Sequence, residues 1–85
     1  MKEFNFTIND PEGIHARPAG LLVKKAKEFK SSVSIRKDGN KVDAKKMLAV
    51  MSLGAKAGAN LIIEVDGEDE DSAAAALEEF LKTNL

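Results

Sequence analysis

Residues 4–29 read FNFTINDPEGIHARPAGLLVKKAKEF and contain a strand, a loop and a helix in succession. Apolar and polar side chains alternate over residues 4–8, which is the period of a strand with one buried face. The Asp-Pro-Glu-Gly segment at residues 10–13 predicts a loop because proline and glycine favour turns. The next apolar residues recur at helical spacing and predict an amphipathic helix that begins near Ala16. They are Ala19, Leu22, Val23, Ala26 and Phe29.

Strand-like alternation and helical spacing of apolar residues continue along the rest of the chain. The elements predicted there are a strand over 33–35, a hairpin turn over 37–41, a third strand at Val42, a short helix over 47–54 that ends at glycine, a strand over 61–65, a turn at 66–67 and a helix from about Glu70. The predicted order is therefore β-α-β-β-α-β-α. Strands and helices that are each apolar on one side can share a core, which predicts an α+β fold: a four-stranded, mainly antiparallel sheet with three helices on one face.

Composition limits what the protein can do. The length of 85 residues predicts a single domain, residues 1–85, with one core and no room for a deep enclosed pocket. The chain has no cysteine, which excludes thiol and disulfide chemistry. It also has no leader-like or membrane-length apolar run, so we expect a cytoplasmic protein without membrane insertion.

Charge is unevenly distributed, although the net charge is only -1. Residues 1–60 hold 12 of the 13 basic side chains, and residues 61–85 hold 8 of the 14 acidic ones. A basic surface that faces a partner is therefore predicted on the N-terminal part. The acidic run at residues 68–71 predicts a helix start, because carboxylates are stabilised near the positive end of a helix dipole.

The only histidine of the chain, His15, stands at the predicted start of the first helix. A neutral imidazole nitrogen is a competent nucleophile toward phosphorus. The positive end of the helix dipole disfavours imidazolium and attracts a phosphate dianion once it has arrived. The position therefore predicts that His15 accepts a phosphoryl group.

The neighbours of His15 fit that prediction. The first N–H groups of a helix have no intrahelical partner, so those of Ala16 and Arg17 are candidate phosphate donors. The Arg17 guanidinium can place two hydrogen bonds on phosphate. Pro18 suits a first helical turn because its φ is already helical, and Gly13 lets the chain turn into the helix.

Three other interpretations of these residues have to be compared with phosphoryl transfer. A lone histidine near a helix start is commonly an ordinary surface residue. A metal site is not expected, because the chain has no second histidine and no cysteine to complete a coordination set. Nucleic-acid binding is not expected either, since there is no Tyr or Trp and only four Phe are available for both stacking and the core.

Two separated motifs resemble those of the HPr family, the histidine-containing phosphocarriers of the bacterial phosphoenolpyruvate-dependent sugar phosphotransferase system. The first motif is Gly-Ile-His-Ala-Arg-Pro-Ala at residues 13–19 with Leu-Leu-Val at 21–23, and the second is Met-Leu-Ala-Val-Met-Ser-Leu-Gly at 47–54. The Asp-Gly-Glu-Asp turn at 66–69 matches as well. The resemblance implies an open-faced β-sandwich fold. It also implies that the protein is a carrier and not an enzyme, and that it needs no cofactor.

By this resemblance, Nδ1 of His15 receives a phosphoryl group from enzyme I and passes it to the enzyme IIA component of a sugar permease, while Arg17 stabilises the phosphate. Brief binding to two unlike partners implies a modest surface with electrostatic steering on a protein expected to be monomeric. The matching positions for that surface are Gly20, Met47, Leu48 and Met51, rimmed by Lys24, Lys27 and Lys45. Core packing at helical spacing is an equal alternative for the two methionines, and Leu48 is the better contact candidate.

The sequence departs from the family pattern at two positions. Lys46 stands where many relatives carry a serine that a kinase phosphorylates, so no regulatory serine is predicted. The change also removes a helix cap unless Asp43 replaces it. Gly20 stands where Thr or Ala is common. Two alternative functions are a regulatory carrier of the nitrogen-related branch and a non-catalytic HPr-like module that binds a transcription regulator; the presence of His15 favours a carrier.

Overall fold

The computed structural model describes all 85 residues and contains four strands and three helices. In chain order these are β1 (Lys2–Thr7), α1 (Ala16–Ala26), β2 (Ser32–Lys37), β3 (Asn40–Asp43), α2 (Met47–Ser52), β4 (Asn60–Asp66) and α3 (Glu70–Asn84). The predicted order β-α-β-β-α-β-α is confirmed. None of the helices combines the length and the apolar character needed to cross a bilayer.

The strands form one sheet in the order β1-β4-β2-β3, and every neighbouring pair is antiparallel. The central strand β4 sets Ile63 opposite Phe4 of β1 and Ile35 of β2. These side chains lie on the face that the helices cover, because successive residues of a strand point to opposite faces. The predicted α+β open-faced sandwich is confirmed.

A single core fills the space between the sheet and the helices. It is a cluster of 19 buried apolar residues in which alternate residues of β1, β2 and β4 meet one side of each helix. The fully buried side chains of greatest volume include Ile8, Ile35, Leu61, Ile63, Leu77 and Leu81. The opposite face of the sheet is polar, and there Glu64 is buried beneath Arg36 (3.3 Å) and Lys41 (3.0 Å).

Local sequence determines two of the turns. Asp38 and Gly39 both have positive φ, 49° and 85°, and connect β2 directly to β3 as the predicted hairpin. This is the backbone conformation that Asp-Gly favours in a two-residue hairpin loop. Gly54 follows α2 with φ 60° and ends that helix, also as predicted.

The first helix ends earlier than predicted. Its apolar period extends to Phe29, but α1 ends at Ala26. After Lys27, the amides of Glu28 and Phe29 donate to carbonyls only three residues back, those of Lys25 and Ala26. Such a tightened end keeps Phe29 packed against the core and so mimics continued helical spacing.

The acidic run does begin a helix, with Glu70 and Asp71 in the first turn of α3. Asp69 has a different role that the sequence pattern does not indicate. Its carboxylate accepts hydrogen bonds from the backbone N–H groups of Lys30 and Ser31, each at 2.9 Å, and from the Ser31 hydroxyl. The Ser31 hydroxyl and then the Lys30 amide lower the pKa of Asp69 to about 2. The start of α3 is thereby tied to the segment that enters β2.

Candidate phosphoryl-acceptor site

His15 occupies the N-cap position of α1. Its backbone is extended (φ -116°, ψ -178°), and its side chain makes no capping hydrogen bond to the helix. The backbone carbonyl of His15 accepts the N–H of Ala19 at 3.0 Å, which is the first bond of the helical ladder. The imidazole is therefore free to face solvent, and 39% of the side chain is exposed.

The amides of Ala16 and Arg17 precede that first bond, so they have no intrahelical acceptor. Both residues are exposed, whereas Pro18, which has no N–H, is buried. The exposed imidazole, two unpaired N–H groups and the Arg17 guanidinium thus share one helix end. An anion bound there is stabilised by hydrogen bonding and by the helix dipole.

The loop before His15 is held by a close backbone approach. Gly13 has φ 69°, and a Cβ atom at this position would collide with the carbonyl oxygen of Ala55 and lie 2.6 Å from Cα of Lys56. The next amide, that of Ile14, donates to the same Ala55 carbonyl at 3.0 Å, and the Ile14 side chain is buried in the core. Glycine is therefore required here for its conformation and for its lack of a side chain.

A turn places two carboxylates beside the imidazole. The Oδ1 atom of Asp10 accepts the Glu12 N–H at 2.8 Å, and the Asp10 carbonyl accepts the Gly13 N–H at 2.9 Å. The Oε2 atom of Glu12 lies 3.3 Å from Nε2 of His15. Asp10, Glu12 and His15 have potential metal-ligand atoms within 4.8 Å of one another, but one imidazole with two partly solvated carboxylates is no closed coordination set. The expectation of no metal site stays a prediction.

A shallow depression of about 380 Å³ adjoins His15. It is lined by Asp10, His15, Arg17, Pro18, Leu21, Thr83 and Asn84. The end of α3 reaches this place because the Leu85 carbonyl oxygen accepts the N–H groups of Asn9 and Asp10, at 2.6 and 2.8 Å. Sequence reasoning missed both this contribution of α3 and Leu21, which is exposed although it lies on an amphipathic helix.

The predicted apolar contact residues lie on two helices that pack together, α1 and α2. Leu48 is 85% exposed and Met51 is also exposed, whereas Met47 is half-buried and packs against the core. A Cβ added to Gly20 would lie 3.9 Å from Cε of Met47, so the two positions adjoin. Of the two methionines, the alternative of core packing fits Met47 better than Met51.

The three lysines of the predicted basic rim differ in exposure. Lys24 and Lys27 are exposed near the C-terminal end of α1. Lys45 is half-buried, and its Nζ donates to the carbonyl of Phe29 at 2.9 Å. That bond satisfies a backbone acceptor just beyond α1, at the opposite end of the helix from His15.

Lys46 is the exposed N-cap residue of α2 and provides no side-chain cap. Asp43 does not replace it, because the Asp43 carboxylate accepts the N–H of Lys45 at 2.8 Å. The first amides of α2 therefore have no capping side chain, and a cation stands at the positive end of the helix dipole.

Comparison with known proteins identifies the family. The family model described as "PTS HPr component phosphorylation site" matches residues 2–83. The chain is 46% identical over 81 residues to the phosphocarrier protein HPr of Lysinibacillus sphaericus, covering 95% of this chain and 92% of that protein. It is 41% identical over 85 residues to HPr of Mycoplasma genitalium, covering 99% of this chain and 97% of that protein. The crystal structure of HPr-C-His from Thermoanaerobacter tengcongensis matches with a TM-score of 0.94 and 38% identity, covering 99% of this chain and 94% of that chain. The chain belongs to the HPr family of phosphocarrier proteins.

Proposed function

We propose that His15 accepts a phosphoryl group from the phosphohistidine of enzyme I and passes it to the enzyme IIA component of a sugar permease. The observation that carries this proposal is the placement of a half-exposed imidazole at the N-cap of α1, beside two unpaired amides and the Arg17 side chain. Family membership supports the same chemistry.

The geometry suits transfer in both directions. The helix end stabilises the phosphate dianion on His15, and the Arg17 guanidinium offsets its charge without enclosing it. Since the depression is shallow, both the donor and the acceptor can approach phosphorus from the solvent side. The protein is thus a carrier in which His15 is phosphorylated and dephosphorylated, not an enzyme that binds and converts a small substrate.

We propose that both partners bind one face beside His15. Its apolar part comprises Gly20, Met47, Leu48 and Met51, and its basic rim comprises the exposed Lys24 and Lys27 together with Lys45, which is bonded to the Phe29 carbonyl at the far end of α1 from His15. An exposed leucine and an adaptable methionine suit contact with two unlike surfaces, and the lysines steer acidic partners. We also propose a cytoplasmic monomer, because a carrier of this size needs no second copy to complete its site.

The acceptor role is tested by intact-mass measurement after incubation with phosphoenolpyruvate, Mg²⁺ and enzyme I. The wild type should gain one acid-labile phosphate, and His15→Ala should gain none. Arg17→Lys keeps the charge but loses the two-pronged geometry, so it should be phosphorylated more slowly. No gain with several enzyme I preparations would refute the proposal and favour a binding module.

The partner face is tested by Leu48→Asp, which changes an 85% exposed side chain and so leaves the core intact. We expect slower phosphoryl transfer with a melting temperature no lower than that of the wild type, since a carboxylate in the first turn of α2 is favoured by the helix dipole. Ala75→Asp, on the exposed side of α3, is the matched control and should transfer at the wild-type rate. Equal rates for both variants and the wild type would exclude Leu48 from the contact.

A further inference from the structure

The Glu12 side chain lies beside the imidazole of His15: its Oε2 atom is 3.3 Å from Nε2, just beyond the range of about 2.7–3.2 Å for an N–H···O hydrogen bond. We propose that Glu12 is a positioning residue: its carboxylate holds the hydrogen of the neutral imidazole on Nε2 and so leaves the lone pair on Nδ1 to attack phosphorus. This inference rests on the proposed function of His15. Beyond that function, it identifies Glu12 as the side chain that determines which imidazole nitrogen reacts.

The backbone holds Glu12 in place before any partner binds. Residues 10–13 form a turn closed by the bond from the Gly13 N–H to the Asp10 carbonyl, and the Asp10 carboxylate fixes the Glu12 amide within it. Pro11 restricts φ at the second turn position, where proline is favoured. Gly13 in turn is fixed against the Ala55 carbonyl. These bonds hold the backbone of Glu12 beside His15, so that its exposed side chain can reach the imidazole.

An ionised carboxylate can only accept a hydrogen bond, while a neutral imidazole has one nitrogen that donates and one that accepts. The partner of one ring nitrogen therefore decides the state of the other. Carboxylates perform this task for histidines that bind metals and for the histidine of serine-protease triads. The Glu12 side chain is 75% exposed, so small rotations can shorten the 3.3 Å contact when charge develops on the ring.

Two charged groups besides Glu12 lie near His15: Asp10 and Arg17, which line the depression beside the imidazole. The Oδ1 atom of Asp10 is already bonded to the Glu12 amide. The Arg17 guanidinium is a donor and cannot accept the imidazole hydrogen. Glu12 is thus the acidic side chain placed to accept the Nε2 hydrogen.

The transfer step needs no proton movement on this chain. The Nδ1 lone pair of His15 forms the new N–P bond as the donor's N–P bond breaks, and the electron pair of the broken bond stays on the donor nitrogen. The Nε2 hydrogen remains in place, so the ring becomes positively charged next to the Glu12 carboxylate. Onward transfer reverses these changes, and the pair of the breaking bond returns to Nδ1.

The test is the ¹⁵N spectrum of the imidazole in the unphosphorylated protein, under conditions where the ring is neutral. One histidine in the chain makes the assignment unambiguous. The wild type should show a hydrogen-bearing Nε2 and a bare Nδ1. Glu12→Ala should move both signals toward a mixture of tautomers, and Glu12→Gln, whose amide oxygen can still accept, should restore them in part.

Glu28→Ala is the matched control, because Glu28 is an exposed glutamate that likewise contacts a side chain three residues away, in its case Lys25. It should leave the ¹⁵N signals of the ring unchanged. Phosphorylation by enzyme I should slow about two- to fivefold in Glu12→Ala, the range expected for an exposed charge pair. A backbone amide spectrum shows whether each variant is folded.

The outcomes separate this inference from the proposed function. Wild-type ring signals in folded Glu12→Ala, or a hydrogen on Nδ1 in the wild type, would overturn the role of Glu12 even if phosphorylation proceeds. The expected tautomer change in a protein that accepts no phosphoryl group would support the role of Glu12 and refute the carrier function.

Discussion

Replacing Gly20 with alanine should stabilise the protein, although this residue lies in the proposed partner face. Gly20 is inside α1 and has no positive φ, and an added Cβ would meet Cε of Met47 at 3.9 Å, an ordinary van der Waals distance. Alanine is favoured over glycine by about 0.8 to 1 kcal/mol in a helix interior. Since nothing has to move, we expect about 1 kcal/mol of added stability, or about 4 to 8 °C in a domain of this size.

Gly54→Ala provides the control with the opposite sign. A Cβ added at Gly54 would meet nothing within 4 Å, but the φ of Gly54 is 60°. Alanine in that left-handed conformation costs about 1 to 2 kcal/mol. The same chemical change should therefore raise the free energy of unfolding at Gly20 and lower it at Gly54.

Urea unfolding and calorimetry would measure the free energy of unfolding of both variants, provided that the slope of free energy against urea concentration equals that of the wild type. A stability of Gly20→Ala equal to or below that of the wild type, alongside the expected loss in Gly54→Ala, would refute the helix-propensity argument. The rate of phosphorylation by enzyme I gives separate information: a slower rate in a more stable Gly20→Ala would indicate that partners need the close approach that glycine permits.

Three further variants test a close backbone approach, a helix cap and a carboxylate that joins distant segments. Gly13→Ala should lose about 2 to 4 kcal/mol of stability, because a positive φ and a backbone collision add; a loss below about 1 kcal/mol in urea unfolding would contradict this. Lys46→Ser should gain about 0.5 to 2 kcal/mol by capping α2, and an unchanged urea midpoint would argue against an uncapped helix. Asp69 has a pKa of about 2 against an ordinary 3.8, so its contribution is complete above about pH 4 and is lost as pH falls toward 2. Asp69→Asn should therefore be less stable at neutral pH and lose less stability over that acid range; an acid-unfolding curve parallel to the wild type would contradict it.

Features set by neighbouring residues could be predicted from the sequence. The Asp38-Gly39 hairpin and the glycine stop at Gly54 follow from backbone preferences within a few residues. The alternation of apolar residues similarly gave the strands and the helix-covered face. The end of α1 could not be placed, since the tightened turn after Ala26 keeps Phe29 on the apolar stripe.

Features that join distant segments could not be predicted. The Asp69 carboxylate binds Ser31, 38 residues away, and Lys45 binds the Phe29 carbonyl beyond the end of another helix. Such polar partners depend on how elements pack, not on local preference. At the site, His15 and Arg17 could be proposed from one motif, whereas the direction of the Glu12 side chain depends on the conformation of its turn.

Because the depression beside His15 is shallow, transfer of a phosphoryl group to a partner has to be faster than its hydrolysis by water. A phosphoryl group on that imidazole is accessible to a partner, and for the same reason it is accessible to water. Proteins meet with rate constants of about 10⁵ to 10⁷ M⁻¹s⁻¹, so a partner present at about 10 μM arrives roughly 1 to 100 times each second. For the proposed carrier, the charged group therefore has to survive hydrolysis only for a fraction of a second to seconds. An open site on a small protein can meet that demand without a lid.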